Sequence, residues 1–311
     1  MSWMFVATEV FGYVLAALFF VQARRRQRLP ILVTAFLYGL LTEYLTVRTR
    51  TDYCYGQFMV MVPPMSWPAP TDWCPVGPRV PLWGSLTWGF LIYGAMTLSA
   101  DLAMPTIVRS LFDGLLVLTI DWILDPLASW LKFWIWKTPG PWFGIPLDNF
   151  AGWFFMVFSF SIVNRTLRAV VPRFVSGWLE KVIVAVATIV LSIGLLTAEL
   201  TGYVWLVDHG TVEALLLVGI LTVSTIIVIR YAVLHSGDSA PQWRIFGAAV
   251  ATHVFYVALI VSSKLSASQP VLLIVAAVTF VITVIGYSWP FRRRLFGGAT
   301  PPRQPSEVET L

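Results

Sequence analysis

Among the acidic residues in or at the ends of apolar stretches of this 311-residue chain, the candidates for chemistry are Glu43, Asp113, Asp121 and Asp125. A carboxylate at the centre of a membrane span costs roughly 2.5–3.5 kcal/mol on insertion scales, so such a group needs a partner or a task. Glu43 lies near the end of one apolar stretch, and Asp121 and Asp125 near the end of another, at a similar depth. Asp121 and Asp125 are four residues apart, which stacks them on one helix face. Two carboxyl groups that close raise each other's proton affinity where water is scarce, and one that keeps its proton is a general acid. The structural alternative is that these acids bond helix ends, Arg48 or Lys132. Asp125 also precedes Pro126, so it reads as the cap of a helix start for the segment 126–137.

The stretch DPLASWLKFWIWKTPGPWFGIPLDNFAGWFF, residues 125–155, follows directly. Its aromatic residues at 130, 133, 134 and 136, with Lys132 and Lys137 as polar ends, predict a short amphipathic piece in the membrane interface. A Pro139–Gly140–Pro141 turn then leads to Gly144, Pro146 and the polar pair Asp148 and Asn149, which enter the next apolar stretch. Ten of the fifteen tryptophans lie between Trp67 and Trp153. An interfacial aromatic belt explains many of these rings. It does not explain why Asp148 and Asn149 follow them into a span.

The elements that must position these residues are membrane helices. The chain is 58% apolar and 12% charged, against about 25% charged in soluble domains, which excludes a soluble globular protein. Nine apolar stretches are long enough to cross a bilayer as helices: 3–23, 30–47, 81–98, 105–124, 146–164, 178–200, 211–230, 245–263 and 270–289. The first has no basic stretch before its apolar core and is followed by Arg24, Arg25, Arg26 and Arg28. It is therefore expected to stay as a span rather than be cleaved as a signal peptide. With the N-terminus outside, thirteen basic residues fall on the cytoplasmic side and six, Arg48, Arg50, Arg79, Lys132, Lys137 and Lys264, in the outer loops. The expectation is an all-α polytopic helical bundle with about nine transmembrane helices, N-terminus out and C-terminus in, located in the cell membrane.

Residues 1–296 read as one integral membrane domain. The half up to 164, interrupted by Pro, Gly, Trp and carboxylates, looks like the site; the smooth Val/Ile/Leu half from 165 looks like scaffold. Residues 297–311 read as a disordered cytoplasmic tail. The net charge of +5 is mostly the topology signal, with no basic helix or stacking motif for nucleic acid. Cys54 and Cys74 share a loop expected outside the cytoplasm, where disulfides persist, and both a bridge and two free thiols fit. Two cysteines and three histidines, His209, His235 and His253, have no ligand-like spacing, so no metal site is expected.

The stretch from Asp125 resembles that of the membrane carotenoid-biosynthesis family, whose known members, such as the bisanhydrobacterioruberin hydratases, hydrate the ends of acyclic carotenoids. The shared features are a DP start at Asp125–Pro126, a W-x-W at Trp134 and Trp136, a G-P-aromatic-aromatic-G-x-P turn over 140–146, and N-x-x-G-W at Asn149, Gly152 and Trp153. A second element, a glutamate followed by a threonine-containing turn and an aromatic-glycine pair, is similar to Glu43, Thr49, Tyr55 and Gly56. It departs from the family at Thr46 and Arg50, where glycines are usual, and in the cysteine-bearing loop to Cys74.

What the resemblance implies is addition of water across the terminal double bond of a long polyene, with no cofactor. Asp125 is the first choice for the acid, with Asp121 or Glu43 setting its proton affinity. Trp134, Trp136 and Trp153, with Trp142, Phe143 and Tyr55, would line the substrate site, the ring faces stabilising a carbocation. Asn149, or Asp148 as a base, would hold the water. The implied partners are an acyclic carotenoid or other long isoprenoid, the lipid bilayer and possible membrane enzymes of the same pathway. The same cation permits an isomerase or cyclase. Asp121 and Asp125 also match the D-x-x-x-D of membrane prenyltransferases, but the second aspartate-rich motif such enzymes need is absent from this sequence. A carotenoid- or lipid-binding or transport protein without catalysis is the remaining alternative.

Overall fold

The computed structural model describes residues 2–49, 53–62, 74, 79–100, 102–235 and 242–292. The expected tail from 297, Arg50, and the tryptophans at 67 and 73 lie outside the described residues. Helix α1 spans Trp3–Arg25 and α2 Leu29–Thr49; three short strands follow, β1 at Tyr53–Tyr55, β2 at Met61–Val62 and β3 at Val80–Pro81. Then come α3 (Leu82–Ser99), α4 (Thr106–Trp130), strand β4 (Trp134–Trp136) and α5 (Leu147–Val170). The chain continues as α6 (Gly177–Asp208), α7 (Glu213–His235), α8 (Trp243–Ser262), the single turn α9 (Leu265–Ser268) and α10 (Pro270–Ser288). Strand β1 pairs antiparallel with β4, and β2 with β3.

The protein is an all-α membrane bundle. Seven of its helices, α1, α2, α5, α6, α7, α8 and α10, are long and apolar enough to cross a bilayer. Helices α3 and α4, also expected as spans, differ from these in composition, and the reason is position. Fifteen of the 18 residues of α3 are buried, and α4 buries Asp113, Asp121 and Asp125 along with its apolar face. A helix wrapped by other helices can carry polar groups that a lipid-facing one cannot. By contrast α6 and α7 present Val186, Val190, Leu215, Val218 and Ile226 outward, as expected for lipid contact.

Two features lock the centre. Helices α2 and α3 approach closely at reciprocal glycines: a Cβ on Gly39 would fall 2.4 Å from Trp88 Cβ, and one on Gly89 would fall 3.1 Å from Phe36 Cβ. Small residues at such crossings let helix backbones pack tightly in a membrane. At the opposite end of α4 from Asp125, about 18 Å along the axis, Asp113 is fully buried and accepts from Ser99 Oγ at 2.5 Å and Ser161 Oγ at 2.6 Å. Arg165 completes this cluster with an ion pair of 2.8 Å to Asp113 and a hydrogen bond of 2.6 Å to Ser99. The group joins α3, α4 and α5 through charge-assisted bonds in an apolar setting.

The segment 126–137 corrects the sequence reading. It is not an Asp-Pro helix start leading into an interfacial helix. Pro126 lies inside the last turns of α4, where a missing N–H costs one hydrogen bond to the Trp122 carbonyl rather than the whole helix. The helix closes at a left-handed Lys132 (φ 61°), with Phe133 N–H donating to the Ala128 carbonyl at 2.8 Å, the pattern of a helix C-terminal cap. The chain then leaves as β4.

Removing the Asp113 carboxylate by Asp113→Ala leaves Arg165, only 12% exposed, without its partner. The expected loss is about 3–5 kcal/mol, read as a lower unfolding midpoint of the detergent-purified protein; an unchanged midpoint would remove the cluster as the clamp.

Candidate functional site

Pairing of β1 with β4 sets Tyr53 opposite Trp136 and Tyr55 opposite Trp134, with Cys54 between them opposite Ile135. Alternation along a strand puts Tyr53 and Tyr55 on one face, and there both hydroxyls donate to Glu43 Oε2, at 2.8 and 2.6 Å. The Trp88 indole N–H of α3 donates to Glu43 Oε1 at 2.7 Å. Three donors from two elements thus converge on one carboxyl group of α2. The Tyr55 phenol is pushed well above its ordinary range by burial first and then by the Glu43 charge, so it keeps its proton and remains a donor. Gly56 makes this placement possible: its N–H donates to the Phe133 carbonyl at 2.7 Å, and a Cβ there would fall 2.3 Å from the Lys132 carbonyl oxygen.

Asp121 and Asp125 are both buried on α4. The Asn149 side-chain amide donates to Asp125 Oδ2. Neither Asp121 oxygen meets an N–H or O–H donor among the described residues; its neighbour is the Asp125 carboxyl group.

The chain reaches Asn149 through a tight reversal. Gly140 N–H donates to the Gly144 carbonyl at 3.0 Å, and Trp142 and Ile145 exchange bonds of 3.3 and 2.8 Å. Phe143 and Gly144 occupy the two central positions with φ of 50° and 87°, the pattern of a two-residue type I′ turn. A Cβ on Gly140 would fall 2.3 Å from Ile145 backbone atoms. The turn delivers Pro146 as the residue before α5, so Asp148 and Asn149 lie in that helix's first turn, beside the end of α4.

Glu43, Asp148 and Asn149 line a cavity of about 90 Å³ together with Trp88, Trp136 and Trp153. Trp88 and Trp153 pack at 4.2 Å between ring centroids. Thr42 and Thr46 of α2, Tyr53 of β1, Gly152 and Met156 of α5, and Leu196 and Leu200 of α6 give the rest of the wall. Asp125 stands behind Asn149 rather than in the wall. Of the rings expected in the site, Trp136 and Trp153 line the cavity and Tyr55 reaches its carboxyl group. Trp134 packs edge-on against Tyr55. Trp142 and Phe143 do not join the cavity: Trp142 packs edge-on against Trp122 and against Phe143, shaping the turn.

A family model described as carotenoid biosynthesis protein matches residues 4–222. The chain belongs to this carotenoid biosynthesis family. It is similar to a bisanhydrobacterioruberin hydratase of Haloarcula japonica, with 28% identity over 169 residues, covering 49% of this chain and 51% of the relative. The chain thus spans about half the length of the curated relative it matches. No solved structure matches the chain. The family match takes in α1–α6 and hence every cavity residue named above, while α8 and α10 lie beyond it.

Sequence reasoning missed three side chains here. Tyr53 and Trp88 donate to Glu43, and the Tyr53–Tyr55 spacing of two was the available signal for a strand. Glu199, in a stretch read as smooth scaffold, accepts from Ser159 Oγ at 2.5 Å between α5 and α6. The two cysteines are both buried, with the Cys54 and Cys74 thiols within hydrogen-bonding range of each other. Among the described residues no three His, Cys, Asp or Glu side chains cluster as metal ligands.

Trp88→Phe and Tyr55→Phe should each lower stability by about 1.5–3 kcal/mol, the range for a bond to a charged acceptor. In a Glu43→Leu background either loss should largely vanish, which a double-mutant cycle of thermal midpoints measures. Raising the pH through the ordinary phenol range near 10 should leave Tyr55 un-ionised. The tyrosinate absorbance gained by Tyr55→Phe and by the unaltered protein should then match over that interval.

Proposed function

We propose that the protein is a hydratase of carotenoid biosynthesis that adds water to the terminal carbon–carbon double bond of an acyclic carotenoid. The observation that carries this reading is the convergence of Glu43, Asn149 and three indole rings on one cavity, with the buried Asp125 carboxyl group bonded to Asn149 from behind. Membership of the family and the similarity to a hydratase support the substrate class and the reaction type.

In this reading the Asp121–Asp125 pair holds the proton that reaches the alkene. Its transfer to the terminal double bond forms a C–H bond and leaves a tertiary carbocation. Trp88, Trp136 and Trp153 stabilise that cation through their ring faces, each by about 0.5–2 kcal/mol, and Glu43, fixed by its three donors, supplies an opposing charge. Asn149 places the water, whose oxygen attacks the cation. Asp148 takes the proton released, and the acid is then reset from solvent. Atoms balance as alkene plus water to tertiary alcohol, with no electron transferred.

Nine spans, the N-terminus outside and the C-terminus inside the cell membrane, complete the proposal. The basic residues of the connecting segments support it, and it sets the Glu43–Asn149 cavity toward the outer face. A lipid-side approach suits a substrate dissolved in the bilayer.

Membranes incubated with an acyclic carotenoid in heavy-oxygen water should yield an alcohol carrying the label; an altered polyene without label would replace hydration by isomerisation or cyclisation. Asp125→Asn and Glu43→Gln should each lower turnover at least about 100-fold, in keeping with loss of a general acid or an electrostatic group, while membrane expression stays normal. An active Asp125→Asn variant would remove Asp125 as the proton donor.

A further inference from the structure

Gly152 is a glycine whose presence the packing around it does not explain. Gly39, Gly89 and Gly114 stand where a Cβ would press on Trp88, Phe36 or Phe154. Gly144 has a positive φ. Gly152 has neither reason: it is helical, its φ is ordinary, and a Cβ there would meet nothing within 4 Å. Glycine inside a helix is a standing cost relative to alanine, because it frees the unfolded chain and adds no contact. Other helical glycines with open space around them, Gly194, Gly202, Gly219 and Gly247, are exposed on the outside of the bundle. Gly152 is half-buried and opens on the cavity.

Its place in α5 gives the absent side chain a use. Asn149, Gly152, Trp153 and Met156 fall on one helix face at spacings of three, four and seven, and all four line the cavity. Asn149 is the polar end and Met156 the apolar end. Between them lies the bare α5 backbone at Gly152, and Leu196 and Leu200 of α6 line the same cavity. An apolar chain whose tip lies at Glu43 and Asn149 therefore has a strip along α5, past Gly152, with a ring at its side.

We propose that Gly152 is the specificity-determining position of the site: the chain of the substrate crosses α5 at Gly152, and the missing side chain admits a linear isoprenoid end while the width of the slot rejects a cyclised one. This rests on the polyene reading above and adds the path of the chain.

The test uses the full-length protein in membranes and an acyclic isoprenoid bearing a diazirine near one terminus, so that it does not depend on turnover. Photolysis followed by peptide mass spectrometry should place the label on residues 149–156 and 196–200. A ring-terminated isoprenoid with the same diazirine should label them far less. Gly152→Ala should fold with an equal or higher thermal midpoint yet label roughly tenfold less efficiently, the lower bound for one methyl-sized change in an apolar pocket; Gly152→Leu should abolish the label. Undiminished labelling of Gly152→Leu, equal labelling by ring-terminated and linear probes, absence of label from these residues in the unaltered protein, or a lowered midpoint for Gly152→Ala would each overturn the assignment. Failure of hydration is read separately, from the heavy-oxygen experiment: label at α5 without oxygen incorporation leaves the chain path standing and removes the hydratase.

Discussion

A carboxyl group set among membrane helices meets little water, so the protein must provide most of its donors itself. At Glu43 that requirement reaches across the molecule. The donors are an indole on α3 and two phenols on β1, and β1 stays in place only because β4 pairs with it. Strand β4 in turn leaves α4 through the Lys132 turn, against which Gly56 packs without a side chain. Helices α2, α3 and α4 and both strands of the pair are thus tied to one acid. The neighbouring acid, Asp125, draws α5 to α4 through Asn149 in the same way.

The Asp113 cluster shows the contrasting use of a buried charge. There a carboxylate meets a guanidinium and two hydroxyls that join α3, α4 and α5. Asp121 and Asp125 have an amide and each other, with no cation between them. Charges that are fully paired by cations and hydroxyls hold a structure together. Carboxyl groups with no cation beside them lack that locking partner. That difference in partners, more than burial itself, separates the two ends of α4.

The helices were legible in the sequence because their signal is continuous: the apolar runs at 81–98 and 270–289 differ by about one residue from α3 and α10. What was not legible arises from contacts distant in the chain. The three-residue strands β1 and β4 are too short to show alternation, and they pair across some eighty residues. The aromatics at 130, 133, 134 and 136 fit an amphipathic helix as well as a strand by spacing alone. Pro126 was read as a beginning because Asp-Pro begins many helices, but α4 was already formed when it reached that point. The membrane acids Glu43, Asp121 and Asp125 were found from insertion cost, whereas Glu199 hid in a run whose hydropathy outweighed it. The turn at 140–146 was recognised as a turn, and its φ values now give the Phe143–Gly144 pair a reason.

The donors of Glu43 also have an order in time. As the chain is synthesised, α2 enters the membrane with Glu43 accompanied only by the tyrosines ten and twelve residues behind it, while Trp88 emerges 45 residues later. Asn149 follows Asp125 by 24 residues. The acids are therefore laterally released into lipid, or retained beside the insertion machinery, before their permanent partners exist. The cavity cannot close until α6 has brought in Leu196 and Leu200, and biogenesis factors that shelter polar helices would act on α2 and α4 first.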